Sequence, residues 1–341
     1  MTLGWAIVST GRHPDTKMAP AINAATDAAI TAVVSRDQGR AHAFAVKHGA
    51  AAAYDDVDAM LADPAVDVVY VASPNALHRE HTLKAAAAGK HVLVEKPMAL
   101  AVEDCQSMID MCASAGVKLG VGFHLRTHPG HQRVRDLVAA GGLGEISLTT
   151  VNWGRGTRGQ TKPPPRADLQ AWWDDPAMVG AGAFMATGVH CADIMRYVLG
   201  REVTEVTALS DATTDAPLEE LLVMALRFDD GSLGTVMTGR RTPDYKANEV
   251  MVYGSEGRAG VHDSVSMVLE GELEISTSAS ETSESYENDP IALYTWQVNA
   301  FNAAVAGGGE PAASGVDGLR AAQITLAMVE SARTGRRVDI R

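Results

Sequence analysis

The first third of this 341-residue chain predicts an α/β fold built on a doubly wound parallel sheet, and three observations carry that prediction. Short, β-branched apolar runs recur. Helix-like stretches separate them. Turn residues follow the runs at the end where an open α/β sheet binds ligands. Trp5–Val8 is the first run and Ile30–Val34 the second, with a helical stretch between them. Asp67–Ala72 is the third and stops at Ser73-Pro74-Asn75. His78 to Gly89 then predicts a helix, with Leu83 and the alanines as its packing face and Gly89 as its terminator. His91–Val94 is the fourth run, so strand, turn, helix and strand follow in the order of a right-handed βαβ unit. A helix over Val102–Ala115 leads to the fifth, Lys118–Gly122.

In such a sheet the loop after the first strand meets a dinucleotide's pyrophosphate. Here it is Ser9-Thr10-Gly11-Arg12-His13-Pro14. Only the middle glycine of a G-x-G-x-x-G fingerprint is present; Ser9 holds the first position, and the third is lost in a slightly lengthened turn running to Ala19-Pro20. Ser9 and Thr10 can donate hydrogen bonds to phosphate, and Arg12 adds charge. The end of the second strand bears on which dinucleotide binds. An acid there takes a ribose 2′-hydroxyl, whereas arginine takes a 2′-phosphate. Ser35, Arg36 and Arg40 suit the phosphate, and Asp37 lies where a helix N-terminus favours an acid. NADP is therefore favoured over NAD. The tripeptide Glu95-Lys96-Pro97 closes the fourth run and points an ammonium from the carboxyl edge of the sheet, where it can polarise a hydroxyl or pass a proton.

Beyond Gly122 the composition changes. A Pro163-Pro164-Pro165 loop is followed by strand-like runs at Leu221–Phe228, Leu233–Thr238 and Val250–Tyr253, punctuated by Asp229-Asp230-Gly231 and Gly254-Ser255. A helix over Val316–Thr334 closes the chain, and Ser276–Glu287 is either an exposed strand edge or a loop.

Val69–Asn75, His78, the run Gly89–Pro97 and the terminal pattern from Gly307 to Arg341 resemble the glucose–fructose oxidoreductase/inositol dehydrogenase/MocA family over nearly the whole chain. Within it, Asn75–Leu83 and His124-Leu125-Arg126 are most similar to NADP-dependent sugar reductases of the 1,5-anhydro-D-fructose reductase type. The resemblance implies a Rossmann domain over residues 1–122. An α+β domain for substrate and oligomerisation follows over 123–341, with a large, mostly antiparallel sheet. It implies an NADP-dependent oxidoreductase that moves hydride between nicotinamide and a secondary alcohol or ketone of a sugar, cyclitol or related polyol. The protein would be a dimer or tetramer of identical chains.

By the same resemblance, Lys96 and His190 relay the substrate proton. Ser73, Pro74, Asn75 and His78 line the nicotinamide side together with Trp173, and Glu95 holds the strand end. His190 belongs to Gly180–His190, which is similar to the family's D-x-G-x-x-H segment. Two departures stand out: the family aspartate is Ala186, and the arginine of a Trp-Arg pair is Trp173, leaving Trp172-Trp173. Asp193 and Thr187 are the candidate substitutes for the missing acid. Two further readings follow from that loss, namely transient cofactor oxidation and reduction during sugar elimination or epimerisation, and a non-catalytic NADP-binding sensor.

His124 and Arg126 are candidate substrate contacts, with Trp172 as a stacking surface. His124, His128 and His131 lie in a Pro-Gly-interrupted stretch without Cys or acid, so no metal is expected there. Arg155 and Arg158 are weighed as pocket-lining or solvated. A formal charge of −13 with no basic stripe argues against nucleic acid. Cys105 and Cys112, at heptad spacing, predict reduced core thiols. No run suggests a membrane span and the amino terminus carries no secretory h-region, so the expected location is cytoplasmic.

Overall fold

The computed structural model describes residues 2–156, 166, 168–243 and 248–340. Contacts divide the chain into two compact units. One comprises Met1–His124, Arg166–Gly180 and Ile291–Ala322, and the other Leu125–Pro165, Ala181–Pro290 and Gln323–Arg341. Arg158 and the Pro163–Pro165 loop lie outside the described residues.

The first unit holds six parallel strands: β1 (Leu3–Val8), β2 (Ala28–Val34), β3 (Ala52–Tyr54), β4 (Val68–Val71), β5 (His91–Val94) and β6 (Leu119–Val121). Their order is β3-β2-β1-β4-β5-β6, so the sheet reverses its winding between β1 and β4, the crevice where doubly wound sheets bind dinucleotides. β1 and β4 are buried throughout, which is why they appear in the sequence as continuous apolar runs. β3, the strand beyond the five expected, is three residues of half-buried Ala-Ala-Tyr, too short to carry a pattern. Trp5, Ile7, Met18, Ile22, Val33, Phe44, Tyr70 and Leu93 pack with Tyr294, Val298 and Phe301 of the helix Ala292–Gly307. Asn302 on that helix accepts from Trp5 Nε1 at 3.1 Å and donates to the Thr26 carbonyl at 3.0 Å, satisfying the buried indole.

The second unit is built on nine strands: β7 (Ile146–Gly156), β8 (Val203–Ser210), β9 (Leu221–Phe228), β10 (Leu233–Pro243), β11 (Val250–Gly254), β12 (Gly257–His262), β13 (Leu269–Thr277), β14 (Glu281–Asp289) and β15 (Val338–Asp339). Their order is β14-β13-β12-β11-β7-β10-β9-β8-β15, antiparallel except for the β7/β10 pair. β9 alternates strictly between buried and exposed, so one face packs inward and the other is open. On the open face Leu209, Val223 and Leu233 are 70%, 50% and 44% exposed. The Ser276–Glu287 stretch is part of the β13/β14 hairpin, and β14 ends the sheet with serine and glutamate along its exposed edge. The helix Val189–Leu199 packs on β7 and is buried at nine of its first ten positions and at its last.

Two expectations are corrected. The stretch after Phe123 is not an irregular loop: His124–Thr127 forms a 3-10 turn and Pro129–Ala139 a helix, whose N-terminus His128 caps by accepting from Gly130 N–H at 3.0 Å. Among the described residues one run, the 24-residue Pro176–Leu199, does reach membrane-span length and apolarity through an 18-residue window of mean hydropathy 1.2. It is 78% buried inside the protein, which accounts for its composition.

Candidate active site

The phosphate loop is tighter than its sequence suggests. Ser9, at the first fingerprint position, takes φ +113°, a conformation glycine would adopt without strain. Its hydroxyl accepts from Gly11 N–H at 3.1 Å and so holds the turn. Helical hydrogen bonding begins at once, with Asp15 N–H donating to the Gly11 carbonyl at 3.0 Å. In place of a lengthened turn, Pro14–Met18 forms a π turn closed from Ala19 N–H to the Pro14 carbonyl. The physical reason is Pro20, which lacks an N–H and would crowd the Thr16 carbonyl in a regular helix.

The loop fits a dinucleotide. A Cβ on Gly11 would touch only the Ser9 hydroxyl at 3.3 Å and Pro14 at 4.0 Å, so its backbone is open to an approaching phosphate. Thr10 and Ser35 bring their hydroxyls to 3.4 Å across the ends of β1 and β2. Asp37 caps the next helix, Gln38–His48, accepting from Arg40 N–H at 2.7 Å, while Arg12, Arg36 and Arg40 are exposed. The acid thus caps the helix end, and Arg40 Nη1 lies 3.8 Å from its Oδ2.

At the ends of β4 and β5, Asn75 is buried and donates to the Val179 carbonyl at 3.0 Å. Pro74 precedes the 3-10 turn Asn75–Leu77, and the Ser73 hydroxyl meets His81 Nδ1 at 2.9 Å. His78 is buried, with its two ring nitrogens each 2.8 Å from a carbonyl, that of Pro97 and that of Ser73. Burial pushes its imidazole below the ordinary range, against the pull of those carbonyls. His78 therefore joins the turn after β4 to the turn after β5, which carries half-buried Lys96 and a cis Lys96–Pro97 bond.

Glu95 sits deeper than a turn residue. Its Oε1 accepts from Tyr70 Oη at 2.8 Å and lies 3.3 Å from His13 Nε2. Burial works to raise its pKa, but His13, the Lys96 charge and the tyrosine prevail and hold it at about 2. Tyr294 meets His13 edge-on at 5.3 Å and stacks on His124 at 4.8 Å. His13, Tyr70 and Tyr294 gain their place from long-range packing, and no local motif in the sequence singles them out. Trp172 and Trp173, in the turn Asp168–Asp174, stack at 4.4 Å, and the Arg166 guanidinium lies 5.4 Å over Trp173.

In the second unit His190 starts the buried helix Val189–Leu199, its ring 5.2 Å from Trp153. The preceding residues, Phe184–Gly188, form a second π turn, and Ala186 within it is half-buried. Glu219 clamps this turn: its carboxylate accepts from Phe184 N–H at 2.7 Å and its carbonyl from Ala183 N–H at 2.9 Å. Only glycine fits at position 182, since a Cβ would lie 2.1 Å from the Glu219 carbonyl oxygen. Asp193 holds Arg126 in a two-pronged pair, Nε–Oδ2 2.8 Å and Nη2–Oδ1 2.6 Å. The Thr187 hydroxyl joins Thr238 at 2.7 Å and the Ala183 carbonyl at 3.3 Å. Both proposed substitutes for the absent carboxylate thus have structural partners.

Among the described residues no cluster of His, Cys, Asp and Glu suits a metal ion. His128 and His131 are bonded at both ring nitrogens, to Gly130 and Glu270 and to Leu125 and Ser264. Arg155 is exposed, 5.7 Å over Trp153. Burial pushes the Cys105 and Cys112 thiols up to about 12, so both behave as inert core residues.

A family model described as "Oxidoreductase family, NAD-binding Rossmann fold" matches residues 3–123, and one described as "GFO/IDH/MocA C-terminal domain" matches residues 131–260. A 1,5-anhydro-D-fructose reductase of Ensifer adhaerens is 31% identical over 318 residues, 93% of this chain and 92% of that protein. A D-xylose 1-dehydrogenase (NADP(+)) 2 of Haloferax volcanii is 30% identical over 94% of each chain. The aldose-aldose oxidoreductase of Caulobacter crescentus, solved with glycerol, superposes with a TM-score of 0.88 at 27% identity over the whole of both chains.

Proposed function

The chain belongs to the GFO/IDH/MocA family of sugar and polyol oxidoreductases, and from that premise we propose that it is an NADP-dependent enzyme interconverting a secondary alcohol and a ketone on a sugar, cyclitol or related polyol. A bound nicotinamide would supply or accept the hydride. Residues 1–122 would hold it, with Ser9, Thr10, Gly11 and Arg12 at the pyrophosphate and Ser35, Arg36 and Arg40 at the 2′-phosphate. Ser73, Pro74 and Asn75 would border the nicotinamide, with His78 fixing their turn and Trp173 nearby. Residues 123–341 would supply the substrate contacts and self-association.

Lys96 and His190 carry the proton in this reading: one gives it to the substrate oxygen during reduction, and the other keeps the local charge balanced. His124 and Trp172 contact the polyol, and Arg126 acts through its grip on Asp193. The observation that supports the reading most is the half-buried Glu95 anion beside Lys96, at the carboxyl end of a Rossmann strand.

The test is a screen of NADPH oxidation with 1,5-anhydro-D-fructose and other ketoses, and of NADP reduction with D-xylose and cyclitols, on wild type and Lys96→Ala. The variant should lose about a thousandfold in turnover, the size of a general acid–base contribution, and keep its NADPH affinity. Wild-type rates in Lys96→Ala would overturn the assignment. The engagement of Asp193 with Arg126 and of Thr187 with Thr238 supports one second reading, a dinucleotide-binding sensor without turnover. Binding without turnover across the whole screen would establish it.

A further inference from the structure

His13 stands on the phosphate loop, and its imidazole faces the Glu95 carboxylate. β4 separates β1 from β5 in the sheet, so His13 reaches past Tyr70 of β4 to the strand end that carries Lys96. His13 Nε2 approaches Glu95 Oε1 at 3.3 Å in an ion-pair contact, on the same oxygen that accepts from Tyr70 Oη. Lys96, next in the chain to Glu95, also acts on the carboxylate, and further polar groups lie around the pair. Tyr294, from the helix Ala292–Gly307, meets the His13 ring; Lys17 lies 5.8 Å over Tyr294; and His124 stacks on that tyrosine. On the same turn as His13, Arg12 is exposed, and Asp15 is held by Lys47 at 2.7 Å and His48 at 2.8 Å.

We propose that His13 is a positioning residue that sets dinucleotide affinity through Glu95, its proton cancelling a half-buried anion beside the phosphate loop. The inference rests on the dinucleotide-binding reading and goes beyond it, since His13 falls on none of the fingerprint's glycine positions. Glu95 stays ionised down to about pH 2, so His13 determines whether the pair carries no net charge or one negative charge. Lys96 stays beside Glu95 in either state, so a neutral imidazole leaves this edge one positive charge poorer where a polyanion must bind. Imidazole is the side chain that changes charge between about pH 5 and 8.

The experiment is a titration of the full-length protein with NADPH, followed by nicotinamide fluorescence at low ionic strength. Wild type, His13→Gln, Glu95→Gln and the double variant are compared. The quantity read is the Kd with His13→Gln divided by the Kd with His13 intact, which cancels titration of the 2′-phosphate of NADPH itself. That ratio should be about fivefold near pH 5.5 and fall to about one near pH 8.5, the effect of one partly screened charge. In the Glu95→Gln background the fall should move to lower pH, because the imidazolium has lost its counter-charge. A ratio independent of pH, or a fall that Glu95→Gln leaves in place, overturns the proposal. Failure of the wild type to bind NADPH at any pH overturns both the proposal and the cofactor reading beneath it, and that failure shows in the wild type alone.

Discussion

Asp193→Asn should destabilise the protein by about 3 kcal/mol through loss of a buried ion pair. Asp193 is 1% exposed and Arg126 6%, so water screens neither partner. The carboxylate accepts from Arg126 Nε and Nη2 at 2.8 and 2.6 Å, and Arg196 Nη1 lies 4.0 Å away with Glu202 as its own partner. Asparagine keeps one acceptor oxygen but turns an NH2 group toward a guanidinium N–H and leaves a buried cation undercompensated. Breaking such a pair from one side costs roughly 3–5 kcal/mol, and the retained acceptor places this variant at the lower end. Arg126 also packs its guanidinium 5.1 Å over Tyr197, with Arg135 at 5.0 Å, so the pair bears on the helix that carries His190 and on the helix Pro129–Ala139. In urea, with an m-value near 3 kcal/mol per molar for a unit of this size, the unfolding midpoint should fall by about 1 M. The double variant Arg126→Met/Asp193→Leu removes both charges and should be milder than the single change. A midpoint within about 0.2 M of wild type at unchanged m would refute the reasoning.

Two further outcomes follow from the same contacts. The Glu95 pKa is lowered from 4.5 to about 2, so its ionised form contributes stability that is fully present above pH 4.5 and is lost as pH falls through 2. Glu95→Gln should therefore remove about 3 kcal/mol of acid sensitivity from that window, read as unfolding midpoints between about pH 5 and 2, and equal slopes for variant and wild type would contradict it. On the open sheet face Leu209 pairs with Val223, and Val223 with Met237, in adjacent strands, a patch suited to self-association. Val223→Lys should shift the sedimenting species toward the monomer by at least about tenfold in dissociation constant, since the ammonium would be buried; a wild type that sediments only as monomer would dispose of the idea.

The parallel sheet was legible because its strands are buried on both faces and therefore written as unbroken apolar runs. β3 escaped because three half-buried residues carry no period. In the second unit β9, β10 and β11 show in the sequence through alternation and turn signals. β12 and β13 do not, because Gly257 and Gly260 follow from pairing with distant neighbours rather than from local pattern, and the Ser/Glu edge of β14 leaves strand edge and loop equally open in the sequence. The site divides in the same way. Lys96 and the Ser35–Arg40 segment are visible as residues at strand ends, and His190 through the resemblance of Gly180–His190 to a family segment. The partners that set their surroundings come from elsewhere in the chain: Tyr70 and His13 on Glu95, Arg126 on Asp193, Thr238 on Thr187. The π turns were hidden for a related reason, since a wide turn leaves no residue signature beyond a misplaced proline such as Pro20.

The most direct measurement of the central proposal is the affinity of purified protein for NADPH against NADH, followed by nicotinamide fluorescence. With Asp37 engaged at the helix end and Arg36 and Arg40 exposed, NADPH should bind at least about tenfold tighter, the worth of one charge-assisted hydrogen bond. Equal or tighter binding of NADH would mean that Asp37 turns to a ribose hydroxyl, and would contradict the NADP assignment.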